Sequence, residues 1–68
     1  MIKVGQIYKD VDDFRFVITL SFPLDVYGIY NNGSTSYISR KNFKDYNLKL
    51  IAEYPTWQEA VNSKKFNE

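Results

Sequence analysis

Apolar and polar side chains alternate along several short stretches of the chain, most clearly through residues 14–20. Alternation with a period of two predicts a β-strand that buries one face and exposes the other. Residues 48–53 alternate in the same way, and a short run at residues 5–8 predicts an opening strand. The faces predicted to be buried carry Phe14, Phe16, Ile18 and Leu20 in the first of these strands and Leu48, Leu50 and Ala52 in the later one.

A β-hairpin is predicted around the sequence Asn31-Asn32-Gly33-Ser34, which separates strand-like runs at residues 26–30 and 35–39. With Asn32 and Gly33 as a two-residue type I′ turn, Tyr30 would pair with Thr35. This register places Tyr27, Ile29 and Ile38 on the core face, and Tyr30 and Tyr37 together on the opposite face. A one-residue slip would exchange the two faces.

The end of the chain has the pattern of a short helix. Thr56 followed by Glu59 is typical of a capping box, and an apolar stripe at helical spacing follows it. A helix this short is stable only when it is docked, and we expect Trp57 to dock it against the sheet. Phe66 either extends that contact or belongs to a frayed end. A single helical or 3₁₀ turn is predicted at residues 40–46, with Phe43 pointing inward.

The order of these elements predicts a mainly β fold: a small antiparallel barrel of about five short strands with a short C-terminal α-helix. The barrel would occupy residues 1–54 and the docked helix residues 55–68 of a single domain. The opening Val4-Gly5-Gln6-Ile7-Tyr8 and the segment from Ser39 to Leu50 resemble an SH3-like small barrel. The alternative is an open sheet of three or four strands with the helix across one face.

A second resemblance concerns the segment from Ile51 to Ser63, Ile-Ala-Glu-Tyr-Pro-Thr-Trp-Gln-Glu-Ala-Val-Asn-Ser. It is similar to the C-termini of short uncharacterised proteins encoded by phages and prophages of Gram-positive bacteria. That resemblance implies an origin in a phage or prophage. It implies no activity and no functional residue.

Composition narrows the range of functions. The 68 residues include no cysteine and no histidine, which removes thiolate and imidazole metal ligands and the common nucleophile systems. Three dispersed glycines do not make a phosphate-binding loop. The acidic cluster Asp10, Asp12 and Asp13 lacks the continuation of a calcium loop and is predicted to be a solvated turn. We therefore expect no enzyme, no cofactor and no metal.

No targeting or membrane segment is predicted from the sequence. The N-terminus has no apolar core of a signal peptide, and the longest uncharged run, Phe16 to Leu24, is much shorter than a membrane span. We expect a cytoplasmic protein, in the cytoplasm of the host cell if a phage encodes it.

The charge is unevenly distributed: residues 1–39 sum to −1 and residues 40–68 to +2. Exposed Tyr30 and Tyr37 would suit contact with a protein partner, so the predicted function is that of a protein-interaction module or accessory factor. We expect the chain to be a monomer or a weak homodimer. The alternative is that the basic stretch from Arg40 to Lys49 binds single-stranded nucleic acid, through Arg40, Lys41 and Lys44 with Tyr37. A third interpretation is a purely structural dimer, and the bland alternative to nucleic-acid binding is that the lysines only keep the surface soluble.

Overall fold

Five strands and three short helical segments make up the computed structural model, which describes residues 1–68. The strands are β1 (Gln6–Lys9), β2 (Arg15–Ser21), β3 (Asp25–Tyr30), β4 (Thr35–Ser39) and β5 (Lys49–Glu53). A 3₁₀ helix (Arg40–Tyr46) links β4 to β5, and α1 (Trp57–Val61) and α2 (Lys64–Asn67) end the chain. The mainly β fold with five antiparallel strands and C-terminal helices confirms the predicted fold class.

The strands form one antiparallel sheet in the order β4-β3-β2-β1-β5. Strands β1 to β4 all contribute to one apolar cluster, which the 3₁₀ helix closes with Phe43. Phe16, Ile18 and Ile38 are fully buried there although no second sheet covers them. The sheet therefore curls over its own side chains, as a small barrel does.

A second apolar cluster lies on the opposite face of the sheet, beneath the two α-helices. Ile7 and Val17 from the central strands pack there against Ala60 and Phe66. Thr56 Oγ1 accepts a hydrogen bond from the Glu59 backbone N–H at 3.2 Å, which confirms the predicted helix cap.

The prediction that Trp57 docks the C-terminal segment is wrong. Trp57 is 37% exposed, whereas Ala60 is fully buried and Phe66 is 6% exposed. Phe66 therefore extends the helix contact and is not part of a frayed end. Arg15 holds this segment as well, because its guanidinium Nη1 donates to the Lys65 carbonyl oxygen at 2.5 Å.

The hairpin forms between the predicted runs, but its register differs by one residue. Tyr27 pairs with Tyr37 and Ile29 with Thr35, so the loop has three residues and not two. The Gly33 N–H donates to the Tyr30 carbonyl, and only Gly33 takes a positive φ, of 92°. This is a type I turn followed by a left-handed glycine, the usual form of a three-residue hairpin loop. The one-residue difference exchanges the faces of β3 relative to the prediction, so Tyr30 lies on the core side and Ile29 on the other, whereas Ile38 stays buried and Tyr37 exposed as predicted.

Two β-bulges account for the other errors in the predicted faces. Thr19 has no partner on β3, so Phe16 and Ile18 point into the core while Leu20 turns to the opposite face beside Tyr27. On β5 the extra residue is Ile51, so Ala52 lies on the helix side and not with Leu48. The prediction that Phe14 and Tyr27 belong to the core is also wrong, because Phe14 is 41% exposed and Tyr27 is only partly buried.

Candidate binding surface

An exposed apolar surface lies on the outer side of the hairpin, beside the start of α1. We call it the aromatic face. Its members are Leu20, Phe22, Tyr27, Tyr37 and Trp57. Four of these five side chains are aromatic and none is charged, an arrangement typical of contact surfaces and unlike an ordinary solvated surface.

The aromatic face owes its position to two backbone features. The bulge at Thr19 turns Leu20 outward next to Tyr27, and Thr19 Oγ1 donates to the Tyr27 carbonyl oxygen at 3.2 Å. The three-residue loop then sets Tyr37 directly opposite Tyr27 on the same face. Their ring centroids are 4.6 Å apart, a distance that stabilises an aromatic pair.

The rings continue as a row along the surface. Phe22 lies beyond Tyr37, with 6.3 Å between the two ring centroids. On the other side of Tyr27 a shallow groove of about 300 Å³ runs to Trp57. The groove is lined by Thr19, Leu20, Tyr27, Ile29, Thr35 and Trp57. Its volume is at the lower end of what a small ligand or one segment of a peptide occupies.

Hydrogen-bond donors border this apolar groove. The hydroxyl of Tyr8 donates to Gln6 inside the protein, but the hydroxyls of Tyr27 and Tyr37 and the indole N–H of Trp57 make no bond within the chain. None of the three is a buried group without a partner, so solvent satisfies them. They remain available to an acceptor that lies across the rings.

The predicted pair of Tyr30 and Tyr37 is not formed, because the two residues lie on opposite faces of the hairpin. Tyr37 is 62% exposed. Tyr30 packs against the inner core, with its ring centroid 4.6 Å from that of Phe16. Burial raises the pKa of the Tyr30 hydroxyl, and the charge of Asp10 adds to the effect. Tyr37 is thus the one member of the predicted pair that the structure exposes.

Within the predicted basic stretch, the guanidinium of Arg40 is hydrogen-bonded to other segments of the chain. Its guanidinium donates to the carbonyl oxygens of Phe22 at 2.8 Å and Ile2 at 3.1 Å, and to the Ser21 hydroxyl. These bonds fasten the N-terminal segment to the connection between β2 and β3. Lys41 and Lys44 are exposed and make no ion pair.

The acidic cluster is the solvated turn that its sequence predicts. Asp10 Oδ1 accepts from the backbone N–H groups of Asp12 and Phe14, both at 2.9 Å, and Asp13 takes a left-handed φ of 71°. No group of three or more acidic, histidine or cysteine side chains is arranged to hold a metal ion.

None of the helices has the length and hydrophobicity needed to cross a bilayer.

Sequence reasoning missed Leu20, Phe22 and Trp57 as surface residues. The alternation of residues 14–20 assigned Leu20 to the core, and the helical stripe assigned Trp57 to the docking contact. A usable signal was nevertheless present: Asn-Gly permits a three-residue loop as well as a two-residue one.

No family model, curated protein or solved structure matches the chain.

Proposed function

We propose that this chain is a small, non-enzymatic protein-binding module of phage or prophage origin that acts in the cytoplasm. Its binding surface is the aromatic face, and its ligand is an extended, uncharged, proline-rich segment of a partner protein. The observation that carries the proposal is the row of exposed rings, from Phe22 through Tyr37 and Tyr27 to Trp57, along an apolar groove.

The chemistry of the surface favours a proline-rich segment in the polyproline II conformation. Such a segment has no internal hydrogen bonds, so its carbonyl oxygens remain free to accept. The aromatic face offers apolar rings for the proline side chains and the free donors of Tyr27, Tyr37 and Trp57 for the carbonyls. A polyproline helix is already extended before it binds, so it loses little conformational entropy.

Charge argues in the same direction. No member of the aromatic face is charged, and the guanidinium of Arg40, which lies beside Phe22, is already bonded to carbonyl oxygens of the chain. Binding of a single-stranded nucleic acid would then rest on the exposed lysines of this stretch, Lys41, Lys44 and Lys49, with Tyr37. Three lysines interrupted by Asp45 give weak affinity that is lost as salt rises.

Trp57 supplies a built-in probe, because it is the only tryptophan and lines the groove. The experiment titrates the protein with a peptide of about ten prolines, long enough for a stable polyproline helix, and follows Trp57 fluorescence. We expect a saturable change that does not depend on salt. Tyr37→Ala should weaken binding about tenfold, as loss of a contact residue worth roughly 1.4 kcal/mol does.

Tyr46→Ala is the matched control. Tyr46 is 47% exposed and lies at the end of the 3₁₀ helix, away from the aromatic face. Its loss should leave the affinity unchanged. Absence of any fluorescence change at millimolar peptide, or equal weakening by both variants, would overturn the proposal. A salt-sensitive response to oligothymidine in place of polyproline would favour the nucleic-acid alternative.

A further inference from the structure

Strand β4 is the open edge of the sheet next to the aromatic face. It pairs with β3 on one side and with no strand on the other. The hydrogen bonds from the Tyr30 N–H to the Ser34 carbonyl and from the Arg40 N–H to the Leu24 carbonyl fix the pattern of this ladder. In that pattern the N–H and C=O groups of Thr35, Tyr37 and Ser39 point away from β3.

Nothing in the sequence of this edge blocks a further strand. Natural sheets protect open edges with charged side chains, prolines or bulges. The segment Thr35-Ser36-Tyr37-Ile38-Ser39 has no charge and no proline, and its pairing with β3 is continuous. The other edge of the sheet, β5, is protected: Lys49 and Glu53 stand at its ends and a bulge interrupts it at Ile51.

We propose that β4 pairs with β4 of a second copy of this chain, antiparallel about a twofold axis at Tyr37. The strand is self-complementary about that residue. The free backbone groups are spaced symmetrically around Tyr37, so Thr35 meets Ser39 of the second copy and Tyr37 meets Tyr37. This register forms about six backbone hydrogen bonds, two for each facing pair.

The side chains support pairing with an identical strand over pairing with an unrelated one. A twofold axis brings each side chain against its symmetry-related neighbours, so charged residues would easily be set against like charges, and β4 has none. The outward side chains become a central pair of tyrosines flanked by hydroxyl pairs of Thr35 with Ser39. Both kinds of cross-strand pair stabilise sheets.

The paired strands would join two aromatic faces into one surface. Tyr37 of each copy would meet at the centre, with Tyr27 and the groove beyond it on both sides. This inference goes beyond the proposed function, because it concerns the assembly and not its ligand. Such a short interface belongs to the weak class, with dissociation constants of roughly 10 μM or above.

Ser39→Pro is the variant that tests the pairing. Ser39 has a φ of −63°, the value that a proline ring imposes, and its side chain makes no capping hydrogen bond. Its N–H points to the open edge, so proline removes no bond of the monomer and blocks only the added strand. Ser39→Ala keeps the N–H and is the matched control.

The measurement is sedimentation velocity at concentrations from about 10 μM to about 1 mM, which bracket a weak dimer. We expect the wild type and Ser39→Ala to shift toward a dimer with rising concentration, and Ser39→Pro to remain a monomer. A wild type that stays monomeric throughout, or a Ser39→Pro chain that associates as well as Ser39→Ala, would overturn the inference.

Amide hydrogen exchange on the wild type gives a second readout that does not depend on a variant. Pairing through β4 should slow exchange at Thr35, Tyr37 and Ser39 as the concentration rises. Association without that protection would place the contact elsewhere and refute β4 pairing. The proposed function is judged separately: Ser39→Pro should bind the polyproline peptide as the wild type does at dilute concentration, whatever its oligomeric state.

Discussion

Two aromatic residues near the C-terminus have opposite environments, and their truncation should have unequal costs. Phe66 is 6% exposed and packs with Ile7 and Val17, whereas Trp57 is 37% exposed at the rim of the groove. Burial of a phenylalanine side chain contributes about 1.5–3 kcal/mol, and the cavity left by its removal adds to the loss. We expect Phe66→Ala to lower the free energy of unfolding by about 3–4 kcal/mol.

For Trp57→Ala we expect a smaller loss, about 1–2 kcal/mol, because its ring covers one wall of an open groove and no closed cavity forms. A domain of 68 residues has a total stability of roughly 3–10 kcal/mol, so the difference between the two variants is easily measured. Phe66→Leu retains most of the apolar volume and should lose only about 1 kcal/mol.

The assay is urea denaturation followed by far-ultraviolet circular dichroism, which needs no tryptophan. We expect a large shift of the midpoint for Phe66→Ala and a small one for Trp57→Ala. A Trp57→Ala loss equal to or greater than that of Phe66→Ala would refute the assignment of Phe66 as the docking residue. An unchanged midpoint for Phe66→Ala would show that the helices contribute nothing to the stability of the sheet.

Two further predictions concern backbone space and pH. A Cβ at Gly28 would lie 2.3 Å from the Val17 carbonyl oxygen, so Gly28→Ala should cost at least about 3 kcal/mol. A Cβ at Gly33 would meet no atom, but the φ of 92° is strained for any residue other than glycine, so Gly33→Ala should lower the free energy of unfolding by about 1–2 kcal/mol. Thermal denaturation measures both variants, and equal losses for Gly28→Ala and Gly33→Ala would contradict this expectation. The hydrogen bond and charge of Arg15 lower the pKa of Asp13 from its usual 3.8. This stabilisation is complete above the usual pKa and disappears as the pH falls through the lowered one. Between about pH 5 and about pH 2 the wild type should therefore lose more stability than the Asp13→Asn variant. Parallel curves of unfolding free energy against pH would refute the pairing of Asp13 with Arg15.

Element positions could be predicted from the sequence because they depend on local patterns. The alternation in residues 14–20, the turn at Asn32-Gly33 and the cap at Thr56 each specify backbone geometry within a few residues. The positions of all three are confirmed within a residue or two, although the turn is a three-residue loop and not the predicted type I′ turn. The 3₁₀ helix and the inward position of Phe43 are confirmed as well.

Which face each strand buries could not be predicted, because that depends on pairing across strands. A single unpaired residue at Thr19 moves Leu20 from the core to the surface. A loop of three residues in place of two separates Tyr37 from Tyr30. Neither event changes the hydrophobic pattern of the strand itself, so the candidate surface was predicted only at Tyr37.

Arg15 illustrates the same limit for charged residues. Its position in the alternation predicts a solvent-facing side chain, yet it is only 8% exposed, beneath the C-terminal helices. Asp13 and Glu68 accept from its guanidinium, and Lys65 accepts through its backbone carbonyl. The helices that bury Arg15 lie some fifty residues away along the chain, a distance that local patterns do not bridge.

The proposed binding surface is the aromatic face and not the basic stretch. Nuclear magnetic resonance of the ¹⁵N-labelled protein with the polyproline peptide distinguishes the two surfaces residue by residue. We expect the largest shift changes at the indole N–H of Trp57 and at the amides of Leu20, Tyr27 and Tyr37. Shift changes confined to Lys41 and Lys44, or spread evenly over the molecule, would contradict it.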